Sequence, residues 1–313
     1  MKNKEVCLPL VSIVVITYNS SDYVIETLES VKRQTYKNIE LIISDDFSTD
    51  DTIATCKAWL IGNKDKFKRV KIIVPEKNTG IPANCNRGLA QSRGDWIKII
   101  AGDDLLLPNC IQKNIQYVKR HSEKIIFSIA EFFADSENER LGNINRKQLN
   151  TVPFFFNLNA NSQFLHLLIR NYPMNPPTIF FEKQTLEKLG RFNTEYVNED
   201  FPLYLHATFS GLKLGFFPIS TVKYRVHKNS ISYNQNREQA ISEWKKLKMR
   251  KTIMKYINWN LFIRHPFVVI EFYNQYLFNE LILMTGNKKS FETNLKFLRL
   301  LSPLFFLKKI KQL

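Results

Sequence analysis

Residues 11–44 read VSIVVITYNSSDYVIETLESVKRQTYKNIELIIS, and their pattern decides the fold. VSIVVI (11–16) is a short, apolar, β-branched run of the kind that forms a buried strand. The polar loop TYNSS follows, and then DYVIETLESVKRQ, in which Val24, Ile25, Leu28 and Val31 recur at helical spacing. IELIIS (39–44) is a second strand-like run. Outward from this core the rhythm continues: DDTIATCKAWL has a helical pattern, VKIIV (70–74) reads as a strand, IPANCNRGLAQS as a helix and WIKII (96–100) as a strand. Strands that alternate with helices imply a parallel sheet with right-handed crossovers.

In an open sheet of this kind, ligands bind beyond the carboxyl ends of the strands. The loops at that edge are TYNSS, DDFSTD, PEKNTG and AGDD, all rich in polar groups. Asp45 and Asp46 end the second strand. Asp46 is placed to accept a hydrogen bond from a ligand N–H, whereas Asp50, with Ser48 or Thr49, suits the cap of the next helix. In AGDD, Asp103 and Asp104 stand side by side where a buried strand ends. Alone, such a pair is equally a turn or a helix cap. Beside three other polar loops it is a focused negative site that suits Mg²⁺ or Mn²⁺, which takes one or two carboxylates and fills its shell with phosphate oxygens and water.

After Pro108 the pattern loosens. A helix is predicted near residues 109–121, a strand near 125–130, and a loop-rich region through NRKQLNTVPFFFNLNANS. PPTIFF reads as a strand, KQTLEKLG as a short helix stopped by Gly190, and EDFPLYLHATFSG as a helix ending at Gly211. LKLGFFPIS and TVKYRV are strand material, and everything from Gln235 onward reads helical. The expected organisation is a nucleotide-binding half over residues 1–106, an acceptor-binding half of the same domain over 107–232, and a basic helical region over 233–313.

Among 313 residues, 44% are hydrophobic, enough for a sizeable core. Cys7, Cys56, Cys85 and Cys110 show no C-x-x-C or His-paired spacing, so neither a disulfide framework nor a zinc site is expected, and a reducing compartment is the natural reading. MKNKEVCLPLVSIVVI superficially resembles a secretory signal, but it has no small-residue cleavage site and its apolar run is strand-like. From residue 233 onward, 15 Lys and Arg face 5 Asp and Glu, so +10 of the formal +16 lies in the last quarter. FVVIEFYNQYLFNELILM approaches the ~20 apolar residues of a membrane span, yet Glu271, Asn274, Gln275, Asn279 and Glu280 interrupt it, so it reads as a packed amphipathic helix. FLRLLSPLFFLKKIKQL interleaves Leu and Phe with Lys and Arg, which suits an anionic membrane interface or a helix docked on its own domain.

Several ordered motifs together carry a resemblance. VSIVVITYNSSDYVIETLESVKRQTYKNIELIISDDFSTDDT, NTGIPANCNRGLAQSRGDWIKIIAGDD, PPTIFFEKQTLEKLGRFNTEYVNEDFPLYLHATFSG and YRVHKNSIS resemble the family 2 glycosyltransferases over roughly residues 10–233. The resemblance implies the α/β GT-A fold, a Rossmann-like, mainly parallel sheet flanked by helices, with the helical C-terminal region beyond it. It implies a nucleotide-sugar site in which Thr17, Tyr18 and Asn19 cradle the uridine, Asp46 reads the uracil N–H, and Asn78 and Asn86 contribute. Asp103 resembles the residue near the ribose and the metal, and Asp104 the one that holds Mn²⁺ or Mg²⁺ against the diphosphate. His227 matches a histidine that reaches the metal or diphosphate in some relatives; it is equally a surface or core histidine. Asp200, in NEDF, matches the catalytic base, and a helix cap is the alternative. Three departures stand out: the common glycine after the aspartate pair is Phe47, an arginine often found before Asn86 is Cys85, and the first acid of the usual D-x-D is Ala101. The second puts in question the phosphate contacts that such an arginine makes, for which Arg87 is the candidate replacement.

The implied reaction is an inverting transfer of a hexose from a UDP-sugar to a saccharide on a polyprenyl diphosphate, in bacterial surface-polysaccharide assembly. It is expected at the cytoplasmic face of the inner membrane, with the protein peripheral on an anionic surface. Adjacent Asp103 and Asp104 cannot straddle a glycosidic bond as the carboxylates of a glycosidase do, roughly 5–9 Å apart. TYNSSDY has no glycine, unlike the phosphate loop of nucleotidyltransferases. No helix-turn-helix, RNA-recognition or zinc signature accompanies the basic charge, so nucleic acid is not an expected partner.

Overall fold

In a computed structural model, which describes residues 8–134, 154–169, 176–195, 200–227 and 253–274, VSIVVIT forms strand β1 (Val11–Thr17), buried along almost its whole length. A strand buried on both faces reads as a continuous apolar run, which is why this segment carries no alternation. β2 (Ile39–Asp45) and β4 (Trp96–Ala101) flank β1 in parallel, and β3 (Val70–Ile73) lies parallel outside β2. Helices α1 (Val24–Lys32), α2 (Thr52–Ile61) and α3 (Ile81–Gln91) connect them. The predicted strand–helix alternation is therefore observed, with one change on α1. Val24, Leu28 and Val31 are buried, each aliphatic contributing about 1.5–3 kcal/mol, but Ile25 is exposed and Thr27 and Ser30 take buried positions.

Among the described residues the sheet has eight strands in the order β3-β2-β1-β4-β7-β6-β8-β5. β7 (Phe180–Glu182) is antiparallel to β4 and β6, β6 (Ile125–Phe133) is parallel to β8 (Leu214–Arg225), and β5 (Leu105–Leu106) is antiparallel to β8. Three local readings change. Only the end of PPTIFF is strand, because Pro176–Thr178 forms a 3₁₀ turn first. The two strand-like pieces LKLGFFPIS and TVKYRV are one strand, whose pairing with β6 shifts register around Pro218. Within the loop-rich region, helix α5 (Ala160–Ile169) begins at Ala160, after a 3₁₀ turn at Phe154–Asn157. Helix α4 (Cys110–Val118) lies where it was predicted, as do α6 (Lys183–Lys188) and α7 (Asp200–Phe209), with Gly190 and Gly211 in the left-handed region beyond the ends of the last two.

α3 sits tightly on the sheet. A Cβ at Gly88 would fall 2.3 Å from Val14 Cγ1 and 3.5 Å from Ser44 Cβ. Overpacking in Gly88→Ala costs about 1–3 kcal/mol against the ~1 kcal/mol that alanine gains in a helix, so a net destabilisation of up to about 2 kcal/mol is expected. Thermal unfolding of the purified variant checks this; an unchanged or raised Tm would show that α3 can lift off β1 freely.

The chain separates into two units, one within Met1–Gln163 and Pro173–Ser230, the other within Phe164–Tyr172 and Ile231–Leu313. In the second unit, helix α8 (Trp259–Arg264) is capped by Asn258, whose Oδ1 accepts the Leu261 N–H at 2.9 Å. Residues 266–274 are helical, with Val269, Glu271 and Phe272 buried and Phe267, Ile270 and Tyr273 exposed. This helix contains the first part of FVVIEFYNQYLFNELILM; residues 275–313, including FLRLLSPLFFLKKIKQL, lie outside the described residues. Among the described residues, no helix is long and apolar enough to cross a membrane.

Candidate functional site

The carboxyl ends of β1 and β2 are tied together by side chains. Thr17 and Asp45 are register partners, and the buried Thr17 hydroxyl donates to Asp45 Oδ1 at 2.7 Å. Asp45 also accepts from the Ser48 N–H at 2.7 Å and the Ser48 hydroxyl at 2.5 Å. Asn19, in the left-handed region at φ 49°, completes the tie: its N–H donates to Ser48 Oγ at 2.8 Å and its Oδ1 accepts the Thr49 N–H at 2.9 Å. Tyr18, between them, is exposed. The AGDD loop packs directly against TYN, since a Cβ at Gly102 would lie 2.8 Å from Thr17 Cγ2.

Asp46 is buried, and both its oxygens are used. Oδ1 accepts from Arg87 at 2.6 Å, the Thr79 hydroxyl at 2.8 Å and the Thr79 N–H at 3.0 Å; Oδ2 accepts from the Gly80 N–H at 2.7 Å. Asn78 turns back on its own loop, its Oδ1 accepting the Gly80 N–H at 3.2 Å. Burial alone raises the Asp46 pKa, but hydrogen bonds from Arg87, Thr79 and Gly80 outweigh it and hold the carboxyl below its ordinary value. A carboxylate whose folded pKa is depressed stabilises the fold above its unfolded pKa and loses that contribution as pH falls through the folded pKa. Arg87→Met removes the strongest of the opposing donors. The variant is expected to lose about 1–3 kcal/mol at neutral pH and to unfold in acid at a higher pH than the parent, as circular dichroism across an acid series would report. An acid midpoint identical to the parent's would show that Thr79 and Gly80 hold Asp46 without help.

The second group of acids is drawn together by β5, a strand with no periodicity to predict it. Leu105 and Leu106 pair with Lys223 and Val222, which brings the end of β8 beside Asp103 and Asp104. Asp104 is buried, and its Oδ1 accepts the Arg225 N–H at 2.9 Å; the Arg225 Nε donates to the Asp103 carbonyl at 3.0 Å. The Arg225 guanidinium lies 4.8 Å from the Tyr23 ring centroid and 4.6 Å from that of Phe133, and its Nη2 reaches Glu26 at 2.7 Å. His227 Nε2 is 3.1 Å from Asp103 Oδ2, with the His227 ring tilted against Tyr23. From below, α1 anchors the loop: the Thr27 hydroxyl donates to the Asp104 carbonyl at 2.8 Å and the Leu106 N–H to Ser30 Oγ at 3.0 Å. That bonding is why polar residues interrupt the buried face of α1.

Burial and the neighbouring Asp103 charge push the Asp104 carboxyl well above its ordinary pKa, against the Arg225 N–H and the charges of Lys98 and Arg225. Lys98 itself is fully buried on β4; its Nζ donates to the carbonyls of Pro177 at 2.5 Å and Ile179 at 3.2 Å, and burial lowers its pKa to about 8. The remaining predicted residues have local roles in view. Asn86 grips the Phe192 backbone, donating to its carbonyl at 2.8 Å and accepting its N–H at 3.1 Å. Asp200 opens α7, buried, with Oδ1 accepting the Phe201 N–H at 2.8 Å. Sequence reasoning missed the parts of Thr79, Glu26 and Arg225; the nearest signal was an arginine two residues before His227 in an extended segment.

The donor set at Asp103, Asp104 and His227 bears on a divalent cation. Among the described residues no group of three or more His, Cys, Asp or Glu is arranged to hold a metal unaided. Hard cations that act on phosphates take only one or two carboxylates from the protein and the rest from substrate and water. Two carboxylates and an imidazole at one sheet edge are too few for an all-protein metal centre and fit a cation shared with a diphosphate.

The fold is shared with known proteins. Residues 12–183 match the family model described as Glycosyl transferase family 2. A Haemophilus influenzae protein named an uncharacterized glycosyltransferase is 30% identical over 80% of this chain and 75% of its own. The Escherichia coli UDP-Glc:alpha-D-GlcNAc-diphosphoundecaprenol beta-1,3-glucosyltransferase WfaP is 28% identical over 74% of this chain and 83% of its own. Among solved structures, Staphylococcus aureus TarS 1–349 in complex with UDP-GlcNAc superposes with TM-score 0.56 at 16% identity over 86% of this chain and 81% of that one. The Pyrobaculum calidifontis mannosyltransferase PcManGT, in complex with GDP-Man and Mn²⁺, gives TM-score 0.59 at 16% identity over 92% and 75%. These likenesses show the GT-A fold. With its family match spanning more than half its length, the chain belongs to glycosyl transferase family 2.

Proposed function

We propose that the protein is an inverting hexosyltransferase that moves a glucose- or galactose-type sugar from a UDP-sugar to a saccharide carried on a polyprenyl diphosphate, in bacterial surface-polysaccharide (O-antigen or capsule) synthesis. The observation that carries this reading is the meeting of the TYN and AGDD loops at one sheet edge, where Gly102 packs on Thr17 and the acidic pair stands with His227. The E. coli relative, by its name, acts on an undecaprenyl-diphosphate GlcNAc with UDP-Glc. In the proposed site Tyr18, Asn19, Asn78 and Asn86 with Thr17 and Asp46 form the nucleotide side, and Asp103 lies near the ribose. Asp104 and His227 would hold Mn²⁺ or Mg²⁺, which when bound neutralises charge on the leaving diphosphate. Asp200 accepts the proton of the acceptor hydroxyl as it attacks the anomeric carbon. One such displacement inverts the configuration.

A lipid-linked acceptor places the protein at a bilayer. Trp259, Ile263 and Phe267 of the second unit are more than half exposed, and the region they belong to carries most of the net positive charge. This supports a peripheral position on the anionic cytoplasmic face of the inner membrane. The test of the function is release of UDP from a panel of UDP-sugars with Mn²⁺ and a synthetic polyprenyl-diphosphate N-acetylhexosamine, with the product identified by mass. Hexose addition to the lipid is the expected result; no transfer from any donor would sink the proposal.

A further inference from the structure

Phe47 is strained and exposed at the same time. Its φ of 66° lies in the left-handed region, where a bulky side chain is a genuine outlier, and its ring is 44% exposed, so it adds little to the core. The conformation is forced by the residues on either side: Asp46 is fixed by Arg87, Thr79 and Gly80, and Ser48 by Asp45 and Asn19. Glycine would satisfy that backbone without strain. A phenylalanine kept there, beside a buried carboxylate and at the carboxyl end of a parallel strand, points to use by a ligand.

A second aromatic stands close by in the topology. Thr17 and Asp45 are partners in the β1–β2 register, so Tyr18 and the Asp46–Phe47 turn leave neighbouring strands, and the Asn19–Ser48 and Asn19–Thr49 bonds join the two loops. Tyr18 is 51% exposed. Among the described residues, neither ring packs against another aromatic ring or a cation. We propose that Phe47 binds the donor nucleobase by stacking, with Tyr18, as an aromatic platform at this edge. This rests on the proposed nucleotide-sugar reading and adds Phe47 to it. Stacking is tolerant of base identity because every base has a π face, so Phe47 supplies affinity for the base and leaves discrimination to hydrogen-bonding groups.

The experiment is calorimetric titration, with Mn²⁺ present, of the full chain and its Phe47→Gly and Phe47→Tyr variants with UDP, GDP, ADP and inorganic pyrophosphate, together with thermal unfolding. Phe47→Gly is expected to weaken the nucleoside diphosphate that the parent binds by at least about fivefold, to leave pyrophosphate affinity unchanged, and to keep or raise Tm. Phe47→Tyr is expected to retain parental affinity. Nucleotide affinity within twofold of the parent in Phe47→Gly, or an equal loss for pyrophosphate, would overturn the inference while leaving the proposed function standing. A Tm well below the parent's would assign Phe47 to packing and overturn it too. A parent that binds no nucleoside diphosphate overturns both readings together.

Discussion

Asp200→Asn is expected to lower the turnover of sugar transfer by about 10²–10⁴-fold, the range that general-base catalysis supplies, while leaving UDP affinity within twofold of the parent. Asparagine matches aspartate in size and keeps an oxygen at Oδ1, so the 2.8 Å bond from the Phe201 N–H survives and α7 starts as before. What is lost is the ability to take a proton. Transfer depends on the acceptor oxygen shedding its proton as the anomeric bond forms; the proposed nucleotide side of the site draws on β1, β2, the 78–80 loop and α3, and not on α7. Turnover is read from UDP release with the lipid acceptor, and binding from titration with UDP alone. A variant that loses UDP binding as severely as turnover would show that Asp200 belongs to the donor pocket, and the role of base would pass to another group.

Much of this architecture was legible in residues 11–101. Strands buried on both faces write themselves as continuous apolar runs, as β1 and β2 do, and the partly exposed edge strand β3 and β4 with its buried Lys98 follow from the same alternation of strand and helix. The loops at their carboxyl ends were legible for the same reason, since a parallel sheet exposes that edge. The second half was harder because its order comes from pairing between distant segments. β5 is two residues long, and nothing in LL announces that it pairs with Val222 and Lys223. Arg225 gains its role only through that pairing, and so does His227. Buried polar residues were invisible for a related reason: Thr27, Ser30 and Lys98 look like solvent-facing positions until the carbonyls they serve are in place. Ile25 is the converse, an apolar residue at helical spacing left exposed.

Two of the site's features run against stability. Phe47 adopts a backbone conformation that suits glycine, and Asp104 is buried beside another acid. Local sequence choices that contradict the fold's own preferences concentrate at functional positions, where a ligand supplies what the empty protein lacks. Substitutions that relieve such positions are expected to stabilise and to impair binding together, which separates them from ordinary core changes such as Gly88→Ala.

Asp104→Asn carries that argument furthest. Burial and the Asp103 charge raise the Asp104 pKa in the folded chain above its unfolded value. The unfolded state therefore releases its proton first, and folding stability falls as pH rises from the unfolded pKa to the folded one, staying reduced above it. Asparagine cannot ionise, yet its Oδ1 still accepts the Arg225 N–H. In the presence of a chelator the variant is expected to match the parent's Tm in acid and to exceed it at neutral pH. Binding is expected to change in the opposite sense. With Mn²⁺ present the parent is expected to bind UDP and the variant to bind it about 100-fold or more weakly, as removal of the proposed carboxylate ligand exceeds the 10–100-fold effects of residues that merely orient one. Calorimetry with and without Mn²⁺, set beside unfolding at several pH values, reads both signs. Parental UDP affinity in the variant, or a Tm that falls at neutral pH, would mean that Asp104 is a structural acid satisfied by Arg225 and that the charge needed by the diphosphate comes from elsewhere.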